Sequence, residues 1–269
     1  MSRQATRDDE DLASRWWATA ITDITPGVIR LRGYPVADLI EEATFAQVVW
    51  MLLRGDLPSP AQARLLERAL VAGVDHGPQS PAIAIARMAA TCGVGINNAM
   101  ASAVNVLGDV HGGAGQQLME LLARIDADDA PDAVRAVLAD LKARRIHVPG
   151  FGHRFHPVDP RRDPLMAAVE RAVSDGVVAG RAYRVATEIE RQLAPIPMNI
   201  DGATAVIFSE LGFAPELGRG LFVLSRSVGA LAHAWEESGS GLRNKGPIPR
   251  TSLPAYTGEP ERRVEAHRG

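Results

Sequence analysis

Residues 147–165 read HVPGFGHRFHPVDPRRDPL, with three histidines, three arginines and four prolines in nineteen positions. Pro149, Gly150 and Gly152 fall within four residues, which forbids a helix at the start of the stretch. The segment is too polar to be core, yet it interrupts a chain that otherwise reads as buried helix. Cations beside a glycine-rich turn suit a loop that holds an anionic ligand. The plain alternative is a surface loop with solvated charges. His153 and His156 also form an H-x-x-H pair, but neither H-E-x-x-H nor a carboxylate set accompanies it. The "GFG" glycines follow no strand and lack a third glycine, so they make no dinucleotide fingerprint.

Outward from this loop the signals are helical. Ser59, Pro60 and Gln62 form a capping box with proline at the first helical position, and a helix ending at Gly73 follows, with Leu65, Leu66, Ala69 and Leu70 on one face. A single helix is expected over 38–54, closing at Gly55, and others over 131–145, 164–175, 178–193 and 221–237. A short strand pair is expected around 27–36, and no βαβ rhythm appears, so the class is mainly α. Residues 88–108 carry no formal charge and are long enough to span a bilayer. Asn97, Asn98 and Asn105 make insertion expensive, which favours a helix buried in a soluble protein or its dimer interface. The last dozen residues read as a polar tail.

The chain has 269 residues and a formal net charge of −3, so no global basic field argues for nucleic acid. No apolar leader opens the sequence, and the expected location is cytoplasmic. The single cysteine, Cys92, excludes an intramolecular disulfide and lies in apolar surroundings that favour a buried, inert thiol.

Three apolar segments end or break at a polar residue flanked by glycine: Asp75, His76 and Gly77; His111 before Gly112 and Gly113; and Asp201 with Gly202. Glycine lets a ligand approach the backbone, and a helix N-terminus there favours anions. Each has a structural alternative: His76 as a cap, His111 as a satisfied core histidine, and Asp201 as the N-cap of "GATAVIF". Arg226 sits on an apolar helix, where an arginine requires an anionic partner from the protein or a substrate.

Taken in order, "DVHGGAG" (109–115), "VPGFGHRFHPVDPR" (148–161), "NID" (199–201) and "FVLSRSVGALAH" (222–233) resemble the citrate synthase family. The similarity runs from about "RGYPVADLIEEATF" to "PAYTG". The "DHGP" element and the "NIDG…FVLSRS" wording are more similar to citryl-CoA lyases and the lyase module of ATP-citrate lyase. The resemblance implies a helical fold with a large domain (1–110 and 217–269), a small domain (111–216) and an active site in the cleft between them. It implies that His111 stabilises the acetyl-CoA enol, that His153 polarises the oxaloacetate carbonyl or its citryl hydroxyl, and that Asp201 exchanges a proton with the acetyl methyl. His76, Arg161 and Arg226 would hold the dicarboxylate, with Arg250 reaching across from a second subunit. Backbone around Val148, Gly150, Phe151 and Gly152 would touch the adenine end of coenzyme A. No metal is expected, and the partners implied are a CoA thioester, a dicarboxylate and a second copy of the chain in a homodimer or higher homo-oligomer.

The expected activity is interconversion of citryl-CoA with acetyl-CoA and oxaloacetate. Its alternatives are a citrate synthase that also hydrolyses the thioester and a lyase for another 3-hydroxyacyl-CoA. Other classes are a metal-dependent hydrolase using His111, His153, His156 and Asp201, and a non-catalytic binder of CoA or polycarboxylates.

Overall fold

The structure is a computed structural model and describes residues 12, 14–249 and 251–263. The chain forms two compact units: Met1–Val74 with Gly108–Arg226, and Asp75–Leu107 with Ser227–Gly269. These boundaries differ from those of the large and small domains that the family resemblance implies.

Near its start the first unit holds a small antiparallel sheet in the order β1 (Thr22–Thr25), β2 (Val28–Leu31), β3 (Tyr34–Pro35). Thr22 pairs with Leu31, and Leu31 with Tyr34. Pro26 and Gly27, the latter at φ +79°, suit a type II turn between β1 and β2. Arg32 and Gly33, at φ +51° and +88°, supply the two positive angles of a type I′ hairpin. The expected strand pair therefore exists, joined by a first strand whose Thr and Asp residues gave no apolar alternation.

The helix expected over 38–54 is two helices, α1 (Val36–Glu42) and α2 (Phe45–Arg54). Between them Ala43 is extended, and Thr44 caps α2 in a reciprocal box with Gln47. A threonine cap followed by glutamine three residues later marks a helix start inside an apolar pattern that runs straight through it. The predicted box at Ser59 and Gln62 opens α3 (Pro60–Gly73), with Leu65, Leu66 and Ala69 buried.

Then follow α6 (Ala114–Arg124), α7 (Ala130–Ala143), α8 (Arg162–Ser174), α9 (Arg181–Leu193) and α10 (Ile200–Glu210). The last is apolar on every side, and Ile200 and Gly202 to Phe208 are all buried. A helix without a polar face must be enclosed. Accordingly α10 packs against α3, α6, α8 and α9 as the centre of the unit's core. Arg54 closes its far end by donating to the carbonyls of Leu211 and Gly212 at 2.9 and 2.7 Å.

The second unit contains α4 (Pro81–Ala90) and α5 (Ile96–Val104) packed on each other, and the second half of α11 (Pro215–Ser238). Its buried cluster is Ile83, Ala86, Ala99, Ala103, Ala230 and Ala234. The uncharged stretch 88–108 is thus not one helix. It breaks after Ala90 at a turn where Gly93 has φ +83°, and Asn97, Asn98 and Asn105 are exposed. Cys92 lies on that turn and is exposed, not buried as its apolar neighbours suggested, with Sγ 3.3 Å from the Met88 carbonyl. No described helix is long and apolar enough to cross a membrane.

Candidate active site

The opening loop lies across the N-terminus of α10. Asn199 N donates to the Gly150 carbonyl at 2.9 Å, Asn199 Nδ2 to Gly152 at 2.6 Å, and Gly152 N to Pro197 at 2.8 Å. Two glycines make this contact backbone to backbone. A Cβ on Gly202 would stand 2.4 Å from the Gly150 oxygen, and one on Gly150, at φ +81°, would stand 2.8 Å from Gly202 Cα. Any side chain at either position would pry the loop from the helix.

Asp201 occupies the first turn of α10, but it is not the cap. The side chain of Asn199 accepts from Asp201 N and Gly202 N at 2.9 and 3.2 Å, so the capping role proposed for Asp201 belongs to Asn199. Burial pushes the Asp201 carboxyl above its ordinary range, Arg226 and Arg161 draw it back, and Asp159 pushes it up again.

Asp159, which no sequence reading singled out, ties the loop to the helix. It is 1% exposed and accepts from Arg161 N, Nε and Nη2 at 3.0, 2.9 and 2.9 Å, and from Ile200 N at 3.0 Å. Burial alone would raise its carboxyl, but these donors hold it down at about 2. On the adjoining side Glu190 accepts from Met198 N at 2.8 Å and grips Arg162.

His153 follows the loop's second glycine. Its Nδ1 accepts the backbone N–H groups of Phe155 and His156, both at 3.1 Å. An accepting Nδ1 leaves the ring proton on Nε2, which makes that nitrogen a donor. Burial pushes its basicity down and Asp159 pushes it up, while His156 and Arg161 add to the lowering. His111 lies within the turn that the Gly108–Gly112 bridge closes, two residues ahead of the N-cap Gly113 of α6. Gly113 seats that turn, since a Cβ there would meet Asp109 Cα and O at 2.7 Å. Burial lowers the His111 imidazole, and the cations Arg226 and Arg154 lower it further.

Arg226 is 4% exposed, on the first half of α11, with Nε donating to the Gly73 carbonyl at 3.0 Å and its guanidinium 4.9 Å from the Phe222 ring. Its charge acts on both His111 and Asp201, and the charges of Arg161 and Asp159 act on both Asp201 and His153. Gly112, Asp201, Thr204 and Phe222 line one small hollow. The motifs of 109–115, 148–161, 199–201 and 222–226 therefore share one neighbourhood within the first unit.

Beside the loop is a cleft of about 660 Å³, whose lining includes Arg135, Lys142, Arg145, His147, Val148 and Phe151. Arg145 has φ +57° and follows α7 in a Schellman arrangement, with Ile146 N donating to Leu141 O at 2.9 Å. That position ordinarily takes glycine, so an arginine there accepts backbone strain while lining a basic cleft.

His76 belongs to the second unit, and Arg250 lies outside the described residues. Among the described residues no group of three or more His, Cys, Asp or Glu side chains is gathered as for a metal ion. The residues missed in the sequence are Asn199, whose position just before an apolar helix is a cap signal, and Asp159, whose signal was an Asp two residues ahead of a predicted ligand-binding arginine.

The chain matches the family described as "Citrate synthase, C-terminal domain" over residues 15–67 and 58–250. It is 30% identical to the structure of citryl-CoA lyase from Hydrogenobacter thermophilus, with a TM-score of 0.79, covering 93% of this chain and 97% of that one. The structure of ATP citrate lyase from Methanothrix soehngenii, in complex with citrate and coenzyme A, shares the fold at TM-score 0.75 and 20% identity, covering 93% of this chain and 44% of that one. The citrate synthase of Acidithiobacillus ferridurans is 29% identical over 238 residues, 85% of this chain and 58% of that protein. The chain thus spans little more than half of that named relative, and 36% and 55% of two further citrate synthases. With its helical fold, its motif order and this match over most of its length, the chain belongs to the citrate synthase family.

Proposed function

We propose that the protein is a cytoplasmic enzyme that interconverts citryl-CoA with acetyl-CoA and oxaloacetate. The observation that supports this reading is convergence in space: Gly112 beside His111, Asp201, Thr204 and Phe222 line one hollow, and Asp159 ties the His153 loop to the first turn of α10 by accepting from Ile200 N at 3.0 Å. A carboxyl raised by burial, with two imidazoles that burial lowers, is the kind of set that enolisation of a thioester needs. In the condensation direction the Asp201 carboxylate takes a proton from the acetyl methyl, and His111 donates a hydrogen bond to the enolate oxygen. The enol carbon attacks the oxaloacetate ketone, and the Nε2–H of His153 meets the oxyanion that forms. Cleavage reverses these steps, and Asp201 then returns the proton to carbon.

Arg226, Arg161 and His76 take the substrate carboxylates in this reading, and Arg250 of a second copy completes the set. The cleft beside Val148 and Phe151 takes the nucleotide end of CoA, with Arg135, Lys142 and Arg145 supplying positive charge for its phosphates. A homodimer is part of the proposal. Leu224, Val228, Leu231 and Trp235 lie exposed at spacings of one and two turns along α11, an apolar stripe suited to a second copy.

The named relatives that are citrate synthases favour one rival, in which the same site also hydrolyses the thioester. Supplying citryl-CoA and separating the products decides between them. Acetyl-CoA and oxaloacetate in equal amounts support the lyase, whereas stoichiometric free CoA and citrate would overturn it.

A further inference from the structure

In the second unit Asp75 precedes His76, and its side chain folds back over the same turn. Asp75 Oδ2 accepts the backbone N–H of Gly77 at 3.1 Å, and the N–H of His76 also bonds to the carboxylate. Gly77 has φ +76°, so the turn is a tight one that a side chain would strain. His233, on the second half of α11, approaches the same carboxylate with Nε2 at 3.2 Å. Its other nitrogen, Nδ1, lies 3.1 Å from Arg87 Nη1. A guanidinium only donates, so Nδ1 accepts and the ring proton sits on Nε2, directed at Asp75.

Arg87 is itself held from behind. Its Nη1 reaches Glu236 at 2.8 Å, and its Nε reaches the fully buried Glu237 at 2.5 Å. Glu237 also takes Lys245 Nζ at 2.9 and 3.0 Å. Glu236 stands 3.8 Å from His233 Nδ1. Lys245, Glu237, Arg87, His233 and Asp75 thus form a chain of paired polar groups that ends on the backbone of His76. Burial pushes the Asp75 carboxyl up, while His233 and the two N–H groups bring it below the ordinary carboxylate range.

We infer that His233 is a positioning residue: by donating through Nε2 to Asp75 it fixes the 75–77 turn and so holds His76 ready for a substrate carboxylate. This rests on the dicarboxylate role of His76 proposed above. A short, glycine-containing turn has little stiffness of its own, and a fixed imidazole on the far side of Asp75 limits it to one conformation.

The test is calorimetric titration of the full-length protein with oxaloacetate and, separately, with CoA, using wild type, His233→Leu, His233→Gln and Asp75→Ala. Glutamine donates and accepts as the neutral imidazole does, whereas leucine does neither. His233→Leu is expected to weaken oxaloacetate binding about 10- to 100-fold. Glutamine should restore it to within about threefold, and CoA affinity should hold in both. The Gly77 amide should exchange faster in the leucine variant and at the wild-type rate with glutamine. Asp75→Ala, which removes the acceptor altogether, carries the same expectation as leucine and serves if the leucine variant does not fold. Unchanged oxaloacetate affinity in folded His233→Leu or Asp75→Ala overturns the inference, as does an equal loss of oxaloacetate and CoA affinity, which marks a general structural brace. A wild type that binds no oxaloacetate overturns the proposed function instead.

Discussion

Asp159 and Asp201 share a neighbourhood, yet their partners drive their acidities apart. Asp159 is held at about 2 by Arg161 and the Ile200 N–H. Its folded-state value is depressed, so it adds stability above the unfolded value near 3.8 and loses it as pH falls through about 2. Asp159→Asn should therefore cost about 2–3 kcal/mol at neutral pH, read from urea denaturation, and the cost should shrink as the wild type is acidified. Asp201 has the opposite sign, because burial raises its carboxyl. Its contribution is present at low pH and is lost as pH rises through the folded value, so at neutral pH the carboxylate costs stability. Asp201→Asn should melt at the same or a higher temperature while turnover falls about 100- to 10,000-fold. Condensation by the wild type should decline with acidification at a pH above the ordinary aspartate range. Burial lowers the His111 and His153 imidazoles, which favours their neutral, hydrogen-bonding forms. His111, His153, Asp201 and Arg226 were legible as site candidates because each places polarity where a core should be. Asp159 was not, because a carboxylate in a proline-rich polar loop looks solvated until the fold buries it.

At the scale of elements, the site depends on two close approaches and one strained helix end. Gly202→Ala would set a methyl 2.4 Å from the Gly150 carbonyl, and neither backbone can yield. It should cost about 2–3 kcal/mol, and turnover should fall more than unfolding explains because His153 moves away from α10. Arg145→Gly should split two properties that usually fall together. Glycine at φ +57° relieves backbone strain, so the melting temperature should rise by the equivalent of about 1 kcal/mol. The same change removes a cation from the cleft, so CoA should bind more weakly, with a smaller dependence on salt. Helix positions were readable where a cap coincided with a change in periodicity, as at Ser59. They were misread where the apolar pattern ran on across a cap, as at Thr44, or where small residues concealed a turn, as at Gly93. Thr44 and Gln47 carried the needed signal, but Leu39, Val48 and Met51 continued the helical spacing past it.

At the scale of the molecule, the family was legible because its motifs are separated in sequence and fixed in order. Chance does not produce "DVHGGAG", "PGFGHR", "NID" and "SRS" in series on a helical chain. The compact units were not legible, because chain continuity says nothing about which helices bury each other. The core of the first unit is organised around α10, and its first turn carries Asp201 among groups drawn from the other motifs. The most direct measurement is exchange of the acetyl-CoA methyl protons with D₂O, followed by NMR with oxaloacetate's non-reacting analogues present. The wild type should exchange them, and Asp201→Asn, folded and still binding CoA, should not. Exchange at the wild-type rate in that variant would contradict the account.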